Sequence, residues 1–286
     1  MDDATEIWDL EIKPKSGLFD VNLKELWHYR DLMWLFVRRD FVAQYKQTIL
    51  GPLWHVIQPV FTTLMFFLIF RKIARIDTDG IEPILFYMSG ITMWTYFSTC
   101  LTNTASTFVT NAPIFGKVYF PRLVLPISIV LSNIVKFAIQ FGLLIVLMIA
   151  FYFIKGTPIV LSWYWLLIPA LVFLMAGIGL GLGIIISSVT TKYRDFAVLI
   201  TFAVQLGMYV TPIAYPLSFL QTKSSYKWLI TINPITSVVE AFRYAIFGKG
   251  TVDAGSVLYS IIFMLVALGI GAIYFNKVEK TFMDTV

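Results

Sequence analysis

Charge is what this chain has least of. Asp, Glu, Lys and Arg make up 14% of its 286 residues, where soluble chains carry about 25%. Hydrophobic residues make up 58%. So few charges cannot cover a soluble domain of this length, and the same composition excludes a disordered chain or a collagen. A single cysteine, Cys100, excludes a disulfide scaffold and is read as inert packing. The two histidines, His28 and His55, cannot build a His-rich metal site. What remains is an all-α polytopic membrane protein, because lipid offers no partner to an open strand edge.

A second absence is local. From position 83 to 194 there is no carboxylate. Metal-dependent transferases need acidic ligands, and ion-coupled carriers usually place Asp or Glu near the bilayer midplane. Both classes are disfavoured. The phosphate-cradling G-x-x-x-x-G-K loop is missing too: Gly248-Lys249 runs into Gly250 and lacks the upstream glycine. Gly177, Gly179, Gly181 and Gly183 fail the dinucleotide spacing. In an apolar helix they form two overlapping small-xxx-small pairs, 177/181 and 179/183, which let helices approach closely. The net charge of +5 reads as lysines and arginines flanking spans and facing anionic lipid, not nucleic acid. Residues 1–20 carry Asp2, Asp3, Glu6, Asp9, Glu11 and Asp20 without an apolar run, unlike a cleavable signal peptide.

What is present is a series of apolar runs. Six are long enough to cross about 30 Å of hydrocarbon: 53–70, 83–105, 123–154, 163–189, 196–216 and 257–275. An even count puts both termini on one side. The excess of Lys and Arg there favours the cytoplasm, although Arg71, Lys72 and Arg75 follow the first run and oppose the rule. Two regions result: an N-terminal cytosolic segment, 1–50, and a six-helix transmembrane domain, 51–286. In 23–47, Leu23, Leu26 or Trp27, Trp34, Val37, Phe41 and Tyr45 recur at helical spacing between charges. This predicts an amphipathic helix in the membrane interface, broken at Gly51-Pro52. Such a short segment cannot bury a core of its own. Between the fifth and sixth runs, Asn233-Pro234 marks a turn, and Glu240 and Arg243 sit at i,i+3 where they can pair. The prediction there is a re-entrant helical pair dipping into the outer leaflet.

Polar residues mark faces. His55, Gln58 and Thr62 share one on the first run. Ser89, Thr92, Tyr96, Thr99, Asn103 and Ser106 share one on the second. Ser128, Ser132, Lys136 and Gln140 step along the third, and Thr201, Gln205 and Tyr209 along the fifth. Such faces turn toward protein or a wet cavity. A single Ser or Thr needs no more than an interhelical hydrogen bond, worth about 0.6 kcal/mol. Lys136 costs roughly 2.5–3.5 kcal/mol at a bilayer centre. It has three uses open to it: snorkelling, pairing with helix carbonyls, or facing a watery path for an anion. Aromatics reach 16%. Tyr87, Trp94, Tyr96, Phe97, Phe202, Tyr209 and Tyr215, with Lys136 and Gln205, are the candidates to line a path, and aromatic faces suit sugar rings.

The stretch 35–54, with FVRRDFVAQYKQTILGPLW at its core, resembles the approach to the first span in ABC permeases that export O-antigen and teichoic acid polysaccharides, the Wzm-type exporters. FGKVYFP at 115–121, Tyr193-Arg194-Asp195 and Asn233-Pro234 support the resemblance by their order, and it covers nearly the whole chain from Leu23. The resemblance implies a homodimer of six-helix permeases in the bacterial inner membrane, with two copies of a separate cytosolic ABC ATPase. ATP and Mg would bind that partner, and this chain would bind no cofactor. A lipid-linked polysaccharide would cross through a channel between the protomers. A short coupling helix would map to 111–122, with Phe115, Lys117, Tyr119 and Arg122 as contacts. Arg38, Arg39 and Lys46 would border the cytosolic entrance, meeting either a carrier pyrophosphate or plain headgroups. Two alternatives stand beside this reading. One is an ABC permease for another amphiphile, lipid or drug. The other is a membrane-bound transferase of lipid or sugar precursors, which would need an acid or His cluster that the sequence does not display.

Overall fold

The structure, a computed structural model, describes residues 23–46, 48–115, 120–190, 193, 195–221 and 227–281, and among these there is no strand. The helices are α1 (Leu23–His28), α2 (Arg30–Tyr45), α3 (Trp54–Phe66), α4 (Pro83–Ala105), α5 (Thr107–Phe115), α6 (Val124–Lys155), α7 (Ile168–Thr190), α8 (Phe196–Val210), α9 (Leu217–Gln221), α10 (Lys227–Ile232), α11 (Pro234–Phe247) and α12 (Ala254–Thr281). A 3-10 turn at Gly51–Leu53 leads into α3, which runs on through wider π turns to Ile73. Another 3-10 turn, Trp163–Leu167, leads into α7. Among the described residues, four continuous helical stretches are long and apolar enough to cross a membrane: Gly51–Ile73, Val124–Lys155, Trp163–Thr190 and Ala254–Lys277.

Helix α4 is long but more polar than these, and the packing explains it. It is flanked by α3, α6, α7 and α11, and most of its residues, from Leu85 to Ala105, are buried. Several of its hydroxyls are satisfied by its own backbone. Ser89 donates to the Phe86 carbonyl at 2.8 Å and Thr92 to that of Met88 at 2.8 Å. A helix screened from lipid on all sides tolerates such residues.

Helices in lipid gain little from the hydrophobic effect against one another, so close packing must hold them. The glycines of α7 provide it on two sides. A Cβ on Gly181 would lie 2.8 Å from the backbone of Ala267 and Leu268 on α12, and one on Gly177 would strike Met264 of the same helix. A Cβ on Gly183 would lie 2.6 Å from Thr104 Cβ, and one on Gly179 2.9 Å from Cys100 Cβ, both on α4. Each small-xxx-small pair therefore serves a different neighbour.

The two ends of the bundle are tied separately. At one end Phe108 of α5 stacks on Phe275 of α12 at 5.0 Å, and Phe36 of α2 meets Phe120 at 5.7 Å. Thr190, at the end of α7, donates to the Ala105 carbonyl at the end of α4 at 2.9 Å. At the opposite end Lys155 pairs with Glu82 at 2.6 Å, Ser218 donates to Asp79 at 2.6 Å, and Lys249 donates to the Gly80 carbonyl at 2.6 Å. Thus α2, the start of α6 and the ends of α4, α7 and α12 share one end.

Three sequence expectations change. Residues 23–45 form two helices rather than one, parted at Tyr29; Leu26, Phe36 and Val37 are buried, the first two in a cluster with Phe120, Val124 and Leu125, while Trp27 and Trp34 stay exposed. The fifth run breaks at Val210, because Thr211 turns to an extended backbone and Pro212 follows. Three helices, α9, α10 and α11, occupy the region expected to hold a pair. Asn233 explains its turn. Its side chain accepts from Ile235 N at 3.0 Å and caps α11, while its amide donates to Thr211 Oγ1 at 2.9 Å. Gly248 ends α11 with φ +64, a left-handed C-cap.

Candidate functional site: a polar crevice around Lys136

The polar faces of the first three runs meet. His55, Gln58 and Thr62 of α3, Thr99 and Asn103 of α4, and Lys136 and Gln140 of α6 line one cavity of about 440 Å³. A second, of about 340 Å³, adjoins it toward α2 and is edged by Arg39, Asp40 and Asn111. Gln44, Asn103, Asn133 and Lys136 line both, so the two form one crevice from α2 into the bundle.

The electrostatics of the crevice are uneven. Asp40 is the one carboxylate among its lining residues. It is taken by its neighbour: Arg39 Nη2 lies 2.7 Å from Asp40 Oδ1. Arg39 also reaches Asn111 Oδ1 at 3.4 Å, and its guanidinium lies 4.8 Å over the Phe36 ring. Among the described residues Lys136 has no carboxylate within ion-pairing distance. Around it, the Ser132 hydroxyl, Asn133 Oδ1, Gln140 Oε1 and His55 Nε2 are buried atoms without a protein hydrogen-bond partner. Outside the spans, Tyr45 of α2 packs edge-on against His55 at 5.7 Å, and burial pushes its phenol above the ordinary tyrosine value.

The sequence-derived path residues separate into two groups. Tyr87, Trp94, Tyr96 and Phe97 are buried inside the bundle. Trp94 and Tyr96 border the 440 Å³ cavity, Tyr96 lies 5.3 Å from Phe137, and a Cβ on Gly207 of α8 would sit 3.0 Å from the Trp94 ring. Phe202, Gln205 and Tyr209 are exposed on α8, a helix with no buried residue. Tyr215 is half-buried, and its hydroxyl donates to the carbonyls of Tyr209 and Val210, closing the end of α8. Arg38 on α2 and Lys46 just past its end are exposed, and of the three entrance candidates Arg39 alone edges the crevice. Asn133, Thr95, Ser98 and Gln44 were not singled out from sequence. Asn133 was within reach, because it sits at i−3 from Lys136 on the same helix face.

In the segment expected to couple, Lys117 and Tyr119 lie outside the described residues. The helix there is α5, Thr107–Phe115, which begins and ends earlier than 111–122 and follows α4 after one residue. Phe115 is 5% exposed, between Phe108 at 5.7 Å and Phe120 at 5.8 Å. It anchors the helix from within. The Arg122 guanidinium lies 5.7 Å over its ring.

Residues 31–247 match the family described as ABC-2 type transporter. The chain belongs to the ABC-2 type transporter family. Two O-antigen export system permease proteins RfbA of Klebsiella pneumoniae are each 30% identical over 256 residues, covering 89% of this chain and 94% of theirs. The protein of that name from Myxococcus xanthus is 26% identical over 264 residues, covering 92% and 98%. The family match spans α2 through α11, so every wall of the crevice lies inside the ABC-2 region.

Proposed function

We propose that this chain is the membrane permease subunit of an ATP-driven exporter that moves a lipid-linked, O-antigen-like polysaccharide across the bacterial cytoplasmic membrane. The observation that carries this reading is the near full-length similarity to O-antigen export permeases, joined to a sequence without a nucleotide-binding loop. The energy then comes from a separate cytosolic ABC ATPase, present in two copies on a permease homodimer, with ATP and Mg held by that partner.

The geometry of the bundle is compatible with a six-span permease. Six traverses arise when α4, screened by its neighbours, and α8, about 22 Å long at 1.5 Å per residue, are added to the four long apolar stretches. α11, which buries the charged pair Glu240–Arg243, is read with α10 as the re-entrant element on the outer side. The end shared by α2, α5 and the close of α12 is then cytoplasmic. There α1 and α2 lie in the interface with Trp27 and Trp34 outward, and α5 with Arg122 offers the ATPase its docking surface. The exposed face of α8 with Phe202, Gln205 and Tyr209 suits the contact between protomers, where an aromatic-lined channel would form.

Reconstitution tests the reading. The permease and its ATPase in liposomes should translocate lipid-linked polymer only with ATP, and the permease alone should translocate none. Transport by the permease alone on an ion gradient would overturn the ATP-driven reading. ATP-driven export of a drug or simple lipid, without polymer, would overturn the cargo.

A further inference from the structure

A cation partly withdrawn from water inside a bundle, as half-buried Lys136 is, normally has a carboxylate or a ring of carbonyls beside it, since desolvating it is costly. Lys136 has neither among the described residues. The adjoining carboxylate, Asp40, is held by Arg39 at 2.7 Å. An ammonium brings three donors and no acceptor. The Ser132 hydroxyl and the Gln140 side chain, 2% exposed, bring further polar atoms that the protein leaves unbonded. Asn133, 1% exposed, spends its amide on a long 3.8 Å contact with Cys100 Sγ and leaves its oxygen free. His55 of α3 and Asn133 and Gln140 of α6, each with an unbonded buried atom, therefore line one cavity with Lys136, and Ser132 lines the adjoining one. A purely structural lysine would be expected to satisfy them or be satisfied by them.

The cavity of about 440 Å³ is much larger than one or two waters need, at about 30 Å³ each. Arg39 supplies a second cation at the α2 side. The flanking helices α3 and α6 turn Trp54, Phe61, Leu131 and Ile134 outward, so apolar surface borders a polar hollow. We propose that this crevice is an anion site within the membrane, where Lys136 holds the phosphate of an amphiphile whose chain stays in lipid. Ser132 and His55 donate to the same phosphate, and the oxygens of Asn133 and Gln140 accept from hydroxyls next to it. The proposal rests on the exporter reading for its choice of ligand and names the part of the cargo that the crevice recognises.

Binding to the purified full-length permease in nanodiscs, without ATPase, tests it. Farnesyl diphosphate is the probe, with farnesol and inorganic pyrophosphate as separate arms, and native mass spectrometry gives the occupancy. Farnesyl diphosphate should bind more weakly as salt rises. Lys136→Met should weaken it about tenfold or more, the scale of a hydrogen bond to a charged group, and Lys136→Arg should restore most of it. Pyrophosphate that fails to compete assigns the site to a lipid-borne phosphate. Pyrophosphate that competes equally assigns it to a phosphate from solution. Farnesol binding as tightly as the diphosphate, or no response to Lys136→Met in a protein that elutes as wild type, would overturn the site. If Lys136→Met does not fold, the salt series on the wild type and the variant Gln140→Leu decide in its place, and indifference in both overturns the site. Reconstituted export separates this from the exporter reading. Diphosphate binding without polymer export leaves the site and removes the cargo; polymer export without diphosphate binding does the reverse.

Discussion

Arg243 and Glu240 form a buried ion pair, 2.9 Å apart, with side chains 1% and 5% exposed. The guanidinium does more than meet its neighbour on α11. It donates to the backbone carbonyls of Pro212 and Ile213 and lies 3.7 Å over the Phe86 ring. One side chain thus joins α11, the turn after α8, and α4.

Removing the arginine should therefore be severe. Arg243→Met leaves Glu240 buried without its cation, a loss of about 3–5 kcal/mol. Glu240→Gln should cost less, because the amide oxygen still accepts from Arg243 and the carbonyl and ring contacts persist. Thermal unfolding in detergent should rank them in that order. Equal midpoints would show that the pair does not organise this end of the bundle.

The glycines of α7 give a sharper comparison. At Gly177 a methyl group meets the end of Met264, a flexible side chain that can move aside. At Gly181 it meets the backbone of Ala267 and Leu268 at 2.8 Å, which cannot. Gly181→Ala should destabilise by about 1–3 kcal/mol, and Gly177→Ala by clearly less. A reversed order in denaturant or thermal melts would contradict the α7–α12 packing.

Much of this architecture could be read from the chain because lipid imposes a simple rule: a span must be an apolar helix. The second run, 83–105, coincides with α4, and 123–154 lies within one residue of α6 at either end. The spacing of Gly177 through Gly183 announced close helix approach, though not that alternate pairs would serve α12 and α4. What stayed hidden was tertiary. Ser89 and Asn103 belong to the same polar stripe, yet one lies in the core and the other on the crevice wall. Periodicity reports a face, not what covers it. Phe115 looked available for a partner because the resemblance placed it in a coupling helix, and the stack with Phe108 and Phe120 takes it inside. Pro212 and Ile213 read as the tail of a span, and their carbonyls became the seat of Arg243.

Acid should loosen the start of α12. Asp253 accepts from the hydroxyl and the backbone N of Ser256, both at 2.9 Å, an N-cap three residues ahead. The Ser256 hydroxyl, then the backbone N–H groups of Ser256 and Gly255, hold the carboxyl below its usual value. A depressed value means the cap stabilises at neutral pH and fades as pH falls below about 3.9, the unfolded value. The difference in melting temperature between wild type and Asp253→Ala should be full at neutral pH and shrink by about pH 3. A difference unchanged across that range would remove the ionised cap.

The ring stack at the other end makes a prediction about coupling. Phe115 lies between Phe108 and Phe120, and Phe108 stacks on Phe275, so α5 is fixed to α12 through aromatic contacts. Phe115→Ala should cost about 3–5 kcal/mol locally, as for a buried ring. It should raise hydrogen exchange in α5 while leaving α11 protected, since Arg243 anchors that end independently. Arg122→Glu leaves the Phe108–Phe115–Phe120 stack in place and reverses a charge on the surface proposed for the ATPase. On the proposed docking, both variants should lower transport per ATP hydrolysed, but Phe115→Ala should also change α5 exchange and Arg122→Glu should not. Normal transport in a Phe115→Ala protein with a loosened α5 would show that the position of this helix does not matter to the ATPase.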